Sequence, residues 1–319
     1  MRCLALAQHI GATGGSVSFA CHQLPQEIES RLSESEGIPV LPMPSPAGST
    51  EDAQLLLDHA CQQNADWIIV DGQQFSAQYV KQLRQGRKVL LIDDLGHDSE
   101  SEVDILLNYH HHASSEMYPR TNAAVSLFGL EYFLARMEFR EIGTTRPQCE
   151  IATNVVISMG GTDPDNLARR ALEALNSRPW TDLSVRWMVS PERRREYSID
   201  TNFQMETRHP VRGIEHELGR ADLGVLAAGG VCYEAAALGL PAVVITRSEE
   251  HFRFMKPLHD LGILELVPYN CGQQQLGELI HHLAHDASRR AAISENARRR
   301  VSANGAGRVV EAMARFDQE

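Results

Sequence analysis

The sequence predicts an α/β protein of two doubly wound domains with a cleft between them. Three observations carry that prediction. Short apolar runs alternate with amphipathic helical patterns along nearly the whole chain, the signature of parallel sheets joined by crossover helices. A polar stretch at 140–150, with Gly143, Thr144, Thr145 and Pro147, interrupts the rhythm, and the same rhythm then restarts. Two apolar runs of the second half end in paired glycines that lead straight into helical patterns.

The elements follow in order. Residues 1–10 read as helix, 17–20 as strand, and 26–35 as a helix stopped by Gly37. Val40-Leu41 is a short strand before a Pro-rich turn at 42–48, and 51–63 is helix. Residues 67–71 and 88–94 are near-continuous apolar runs, as expected of buried parallel strands, with a helix at 77–84 between them. A further strand is expected at 104–108. In the second half the strands are 154–158, 184–189, 222–227 and 242–246; helices follow the glycine turns and run over 273–285, 288–301 and 307–316. The expected domains are 1–145 and 146–319. A doubly wound domain normally opens on a strand that feeds its first helix, whereas this chain opens on the helix. The first strand and first βα turn of the first domain are therefore expected to be missing.

The 319 residues suffice for a full core in each half. No apolar run reaches the roughly 20 residues of a membrane span, and no signal-peptide pattern opens the chain. Six scattered cysteines without a Cys-x-x-Cys pair fit a reducing compartment, so a cytoplasmic location and small buried thiols are expected. A net charge of −12 argues against a nucleic-acid partner. The runs Arg193–Arg195 and Arg298–Arg300 sit in mixed-charge helical surroundings and read as solvated helix faces. A monomer is the default.

The glycine turns carry most of the functional information. Val155-Val156-Ile157-Ser158-Met159-Gly160-Gly161-Thr162-Asp163 and Leu226-Ala227-Ala228-Gly229-Gly230-Val231-Cys232-Tyr233-Glu234 both run strand, glycines, helix. Bare N–H groups and a positive helix end aimed at one point suit a phosphate, and two such turns suit a diphosphate. For the first turn the alternative is a tight bend that glycine alone tolerates. In the second, Glu234 lies one helical turn past the glycines, where a carboxylate offers paired acceptors to ribose hydroxyls; the alternative is an acid stabilising the helix dipole.

Other motifs are less specific. Ser248-Glu249-Glu250-His251 follows a strand, so Glu250 and His251 are placed for acid–base work or for binding sugar, while Ser248 equally suits a helix cap. Asp71 and the pair Asp93-Asp94 end strands of the first domain and suit hydroxyl binding, base chemistry or capping. His110-His111-His112 alternate faces if extended and read as a polar loop rather than a metal site. The chain lacks a Gly-x-Ser-x-Gly elbow, a Walker sequence and the dinucleotide fingerprint.

At these residues the chain resembles the PseG/SpsG family of nucleotide-sugar hydrolases, which have two Rossmann-like domains in a GT-B-like arrangement. Met1 to Gln8 resembles the family's first helix. The strand from Trp67 to Phe75, Leu91-Ile92-Asp93-Asp94, Leu106-Leu107-Asn108, and the blocks 160–166 and 228–241 also match. The resemblance implies release of UDP from a UDP-linked acetamido-deoxy sugar by water attack at the anomeric carbon, within a pseudaminic-acid-like surface polysaccharide pathway, with no cofactor and no metal. It places Gly229, Gly230 and Val231 on the diphosphate, Glu234 on the ribose and Gly160, Gly161, Thr162 and Asp163 on the nucleotide side. Arg2, Gln73, Asp94 and Asn108 form the implied sugar side. The same fold carries glycosyltransferases, where a sugar acceptor replaces water, and non-catalytic nucleotide-sugar binders.

Two departures matter. The family's catalytic histidine sits in a Gly-x-Gly-His turn just ahead of the arginine that matches Arg2, and this chain begins at Met1, so the histidine has no counterpart here. Asp71, Glu250 and His251 remain as candidates. The family's Glu-Asn-Gln is Glu249-Glu250-His251 here, and a carboxylate at 250 repels phosphate unless it is protonated or turned away.

Overall fold

A computed structural model describes residues 1–96, 102–142, 149–160, 163–190, 193–194, 200–208 and 213–318. The chain forms two compact units, one of Met1–Met137 with Asn304–Glu319 and the other of Glu138–Ala303. The predicted α/β class is observed. The division differs from the expected 145/146: the last helix returns to the first unit.

In the first unit, α1 (Arg2–Ala12) is followed by β1 (Phe19–Cys21), α2 (Gln26–Ser30), β2 (Val40–Pro42), α3 (Thr50–Gln62), β3 (Trp67–Asp71), α4 (Ala77–Arg84), β4 (Lys88–Ile92), β5 (Glu102–Asn108) and β6 (Asn122–Phe128). The helix expected over 26–35 continues past α2 as one π turn, Arg31–Ser35. Ser49 and Ser76 start α3 and α4 by accepting from the N–H of Asp52 and Tyr79, which satisfies donors that a helix start leaves open. Strands β3-β4-β5-β6 form one parallel sheet; β1 and β2 form a separate parallel pair. The apolar alternation of β3 and the continuous burial of β4 and β5 follow from their places in that sheet, with Val89, Leu90, Val103, Ile105 and Leu107 fully buried.

The last helix, α12 (Gly305–Phe316), is fixed to this unit by close packing. A Cβ at Gly305 would stand 2.2 Å from the carbonyl oxygen of Phe133, so glycine is required there. Arg308 pairs with Glu131 at 2.8 Å, and Phe316 meets Trp67 edge-on at 5.5 Å. The partners of α12 lie some 170 residues or more away in sequence, which is why local patterning assigned it to the other half.

The second unit runs α5 (Met137–Ile142), β7 (Asn154–Ser158), α6 (Leu167–Asn176), β8 (Ser184–Met188), β9 (Gln204–Arg208), α7 (Ile214–Arg220), β10 (Leu223–Ala227), α8 (Gly230–Ala237), β11 (Ala242–Ile245), α9 (Glu249–Asp260), β12 (Glu265–Val267), α10 (Gln273–His285) and α11 (Ala287–Arg300). Its six strands are all parallel in the order β9-β8-β7-β10-β11-β12. That is the doubly wound order, and its switch point lies between β7 and β10. The core is Val155, Ile157, Leu172, Val185, Trp187, Val225 and Val243 with the inner faces of α6 and α10. Arg290 is buried to 1% exposure. Its guanidinium donates to the carbonyls of Leu283, Ala284, Cys149 and Glu150, closing the end of α10 and satisfying a charge that would otherwise be very costly to bury. All six cysteines are free; Cys232 and Cys271 are buried as expected, while Cys61 is exposed. Among the described residues no helix is long and apolar enough to cross a membrane.

Candidate functional site

The carboxyl edge of the second unit's sheet brings three turns side by side. Leu226 pairs with Ser158, and Ala227 with Ile245, so β7, β10 and β11 end nearly flush. Adjacent strands lie about 4.8 Å apart. Gly160 follows β7, Gly229-Gly230 follow β10, and Ser248 to His251 follow β11.

The β10 turn fits an anion. Gly229 and Gly230 are exposed, and α8 begins at Gly230 without a side-chain cap among the described residues and without an acid in its first turn. Its leading N–H groups therefore keep the positive end of the helix open. A Cβ at Gly229 or Gly230 would meet no described atom within 4 Å, so protein packing does not account for these glycines. Val231 and Glu234 are half-buried on α8. Glu234 is the fifth residue of α8, in its second turn, which disposes of the reading as a first-turn dipole-stabilising acid.

The β7 turn is built differently. Gly160 adopts φ +76, and a Cβ there would meet no described atom, so its backbone conformation favours glycine. Gly161 and Thr162 lie outside the described residues. Asp163 is committed to structure: its two carboxylate oxygens accept from the N–H of Leu167 at 2.8 Å and of Ala168 at 3.0 Å, at the start of α6. Burial pushes its pKa up, against those two bonds and the nearby Arg193. Arg193 was expected on a solvated face; instead it is half-buried and donates to the carbonyl of Asp163 at 2.5 Å and to Asn166 Oδ1 at 3.3 Å. Arg194 lies 5.7 Å from the Trp187 ring centroid. Arg193 thus braces the β7 turn, while Arg194 packs on β8.

Beyond β11, Ser248 caps α9 by accepting from the N–H of His251 at 3.2 Å. Glu250 is exposed to solvent, free to keep its charge away from an anion. The half-buried His251 keeps a buried Nδ1 with no hydrogen-bond partner among the described residues.

The first unit gathers a separate charged cluster at the ends of β3, β4 and β5. Arg2, the first residue of α1, donates through Nε and Nη2 to Asp71 and through Nη1 to Asp94 at 2.6 Å. Burial opposes the guanidinium charge, but the Asp71 hydrogen bond and surrounding carboxylates outweigh it and raise its pKa. Cys3 Sγ also donates to Asp71, at 3.1 Å; burial, with Asp71 alongside, pushes that thiol well up. Asp71 is therefore a salt-bridge partner, its oxygens committed to Arg2 and Cys3. Partial burial of Asp94 favours its neutral form, yet His110 and Arg2 hold its pKa below the usual range. Its Oδ1 faces His110 Nε2 at 3.4 Å.

The remaining residues singled out in the sequence are placed as follows. Asn108, expected on the sugar side, is fully buried: its Nδ2 donates to Tyr118 at 2.8 Å and its Oδ1 accepts from the N–H of His110 at 3.0 Å. It shapes the following loop from beneath. Gln73 is exposed and brought into none of these contacts. The 110–112 histidines lie in a loop, as expected, and form a half-buried cluster there, His110 stacking on His112 at 5.6 Å. Burial, with the neighbouring histidines, lowers His111 to about 4 and also lowers His112. Tyr109, whose ring lies tilted 4.8 Å from that of His110 and whose hydroxyl accepts from Arg2 at 3.3 Å, was not anticipated; its place immediately after an apolar strand was the available signal.

No protein-family model matches the chain. The spore coat polysaccharide biosynthesis protein SpsG of Bacillus subtilis is 26% identical over 201 residues, 57% of this chain and 57% of SpsG. The uncharacterized protein MJ1062 of Methanocaldococcus jannaschii is 24% identical over 200 residues, 58% of this chain and 41% of the relative. The chain thus spans about half the length of the curated relatives it matches. Acinetobacter baumannii MurG superposes with a TM-score of 0.69 at 16% identity, covering 98% of this chain and 95% of that one. S. aureus MnaA, solved with UDP, gives 0.65 at 12% identity over 99% and 93%. At these identities the likeness shows the fold, an α/β protein of two Rossmann-like domains of the GT-B kind.

Proposed function

We propose that this protein hydrolyses a UDP-linked acetamido-deoxy sugar in surface polysaccharide biosynthesis of the pseudaminic-acid type. The observation that carries the proposal is the open, uncapped start of α8 behind Gly229-Gly230, beside the β7 turn at the switch point of the second unit's sheet. The N–H groups of Gly229, Gly230 and Val231 receive the diphosphate, Glu234 the ribose hydroxyls, and the β7 turn the nucleoside. A uridine nucleotide follows from the family resemblance and is supported by MnaA, whose structure contains UDP; a polysaccharide role is supported by the SpsG likeness.

In the reaction, water oxygen bonds to the anomeric carbon while the bond from that carbon to the phosphate oxygen breaks. The electron pair leaves with UDP, and one proton is lost from the attacking water. Donors aimed at the diphosphate stabilise the charge that develops on the leaving group. Of the three candidates for the proton, Asp71 is held by Arg2 and Glu250 is solvated, which leaves His251.

A second reading, transfer of the sugar to an acceptor, draws support from the fold shared with the spinosyn forosaminyltransferase SpnP. Incubation with a UDP-linked acetamido sugar, following free sugar and UDP, decides between them. Hydrolysis predicts both products without an acceptor. UDP formed only when an acceptor is added means transfer, and UDP binding without turnover means a non-catalytic binder. His251→Ala is expected to lower turnover with little change in UDP affinity; full turnover in that variant removes His251 from the reaction.

A further inference from the structure

Arg247 is the one cation in the four loops that follow β7, β10, β11 and β12, residues 159–166, 228–229, 246–248 and 268–272. Its Nε stands 3.8 Å from Asp165 Oδ2, just ahead of α6. The two residues come from strands that are not neighbours, because β10 lies between β7 and β11. Two strand spacings put the ends of β7 and β11 about 9.6 Å apart. A side chain that starts after β11 and meets the loop after β7 therefore passes the carboxyl end of β10, where Gly229 and Gly230 open α8. The register agrees: Ala227 pairs with Ile245, so Gly229 and Arg247 each stand two residues beyond a paired position. Val243 and Ile245 face the core that α6 covers, and strand alternation sends residue 247 to the same side.

We propose that Arg247 is a diphosphate-binding residue, and that it exchanges Asp165 for the phosphate oxygens of an incoming nucleotide sugar. The inference rests on the reading of the β10 turn as a diphosphate site. A sugar-linked diphosphate carries a negative charge on each phosphate, whereas a helix start contributes the equivalent of only about half a positive charge. The β7 loop adds the carboxylates of Asp163 and Asp165 rather than cations. The arginines nearest this edge are already occupied: Arg193 by the carbonyl of Asp163, and Arg170 by the carbonyls of Tyr269 and Cys271. Arg247 is left to supply the missing countercharge.

The Asp165 contact is one that a phosphate can displace. The two side chains are 46% and 51% exposed, and 3.8 Å is long for a charge-assisted hydrogen bond. Solvent screens such a pair, so it contributes little. A guanidinium instead meets a phosphate through two parallel N–H···O bonds, a geometry matched to its planar fork. Asp165 thus holds Arg247 across the turn before the ligand arrives, and its like charge opposes the ligand that replaces it.

Isothermal titration of the full chain with UDP tests the exchange. Arg247→Gln should weaken UDP binding at least tenfold, and Arg247→Lys, which keeps the charge but not the fork, should recover part of that loss. Asp165→Asn removes the competing carboxylate and should hold or tighten binding. Arg253→Ala removes the same charge from an exposed position on α9 and should stay within about twofold. Thermal melts of all these variants should lie within a few degrees of the parent, because every side chain changed is at least half-exposed. Unchanged UDP affinity in Arg247→Gln overturns the proposal. So does an equal loss in Arg253→Ala, which assigns the effect to net charge, or a loss in Asp165→Asn. If Gly230→Ala weakens UDP binding while Arg247→Gln does not, the diphosphate reading stands and the role of Arg247 alone fails. No UDP binding by the parent chain removes both.

Discussion

Gly230→Ala separates the ligand role of the β10 turn from its role in folding, because the two effects have opposite signs. Gly230 is the first residue of α8, its φ is not positive, and a Cβ there meets no described atom within 4 Å. Alanine is favoured over glycine in a helix by up to about 1 kcal/mol, less at the first position, so stability should hold or rise slightly. For a unit of this size that is a Tm change of about 0 to +4 °C. In the proposed complex the same methyl group would occupy the space through which a diphosphate oxygen reaches the exposed N–H groups. Losing one charge-assisted hydrogen bond costs about 1.5–3 kcal/mol, or roughly a 10- to 150-fold weaker Kd. Isothermal titration with UDP and a thermal melt measure both quantities on one sample. UDP affinity unchanged from the parent protein refutes the diphosphate assignment, and a Tm drop of several degrees refutes the packing argument.

Two further substitutions test the first unit. Asp94→Asn removes one carboxylate from the part-buried Arg2 cluster and should cost about 1–3 kcal/mol at pH 7, discounted for partial solvent exposure. Because the folded pKa of Asp94 is depressed, its contribution is present above the unfolded value near 3.8 and is lost as pH falls through the folded pKa. Urea melts should therefore show the parent and the variant converging in strong acid; a constant gap down to low pH contradicts the assignment. Asn108→Ala strips the buried partner from Tyr118 and from the N–H of His110, at about 1–3 kcal/mol of stability, with UDP affinity unchanged. A large loss of UDP affinity at full stability would return Asn108 to the ligand site.

Most elements were legible in the sequence, and three strands were not. β6, β9 and β12 all lie at sheet edges. An edge strand is defined by hydrogen bonds to a single neighbour and needs only a partly apolar face, so its residues carry little periodic signal. Gln204–Arg208 shows this plainly, with four of its five residues exposed. The glycine turns were legible because each needs only local backbone features: an apolar run, small residues and a helix start.

Side-chain roles depended on what the fold brings together. Asp71 looked equally like a base, a sugar ligand or a cap until Arg2, 69 residues away, was found against it. Asp163 looked like part of a ligand turn, and its carboxylate instead holds the start of α6. Asn108 is polar at a strand end, which suggests exposure, yet Tyr118 folds over it.

Local chemistry in the sequence was enough to determine the α/β class, the strand–glycine–helix turns and the positions of Gly229, Gly230 and Glu234 in the second of them. These depend on periodicity and on backbone freedom, which neighbouring residues set. The tertiary structure alone decided that β7 and β10 lie side by side at the switch point, that the last helix belongs with the first unit, and which polar groups are already occupied. Those outcomes depend on contacts between residues far apart in the chain, where packing and hydrogen bonding select partners that no local pattern encodes.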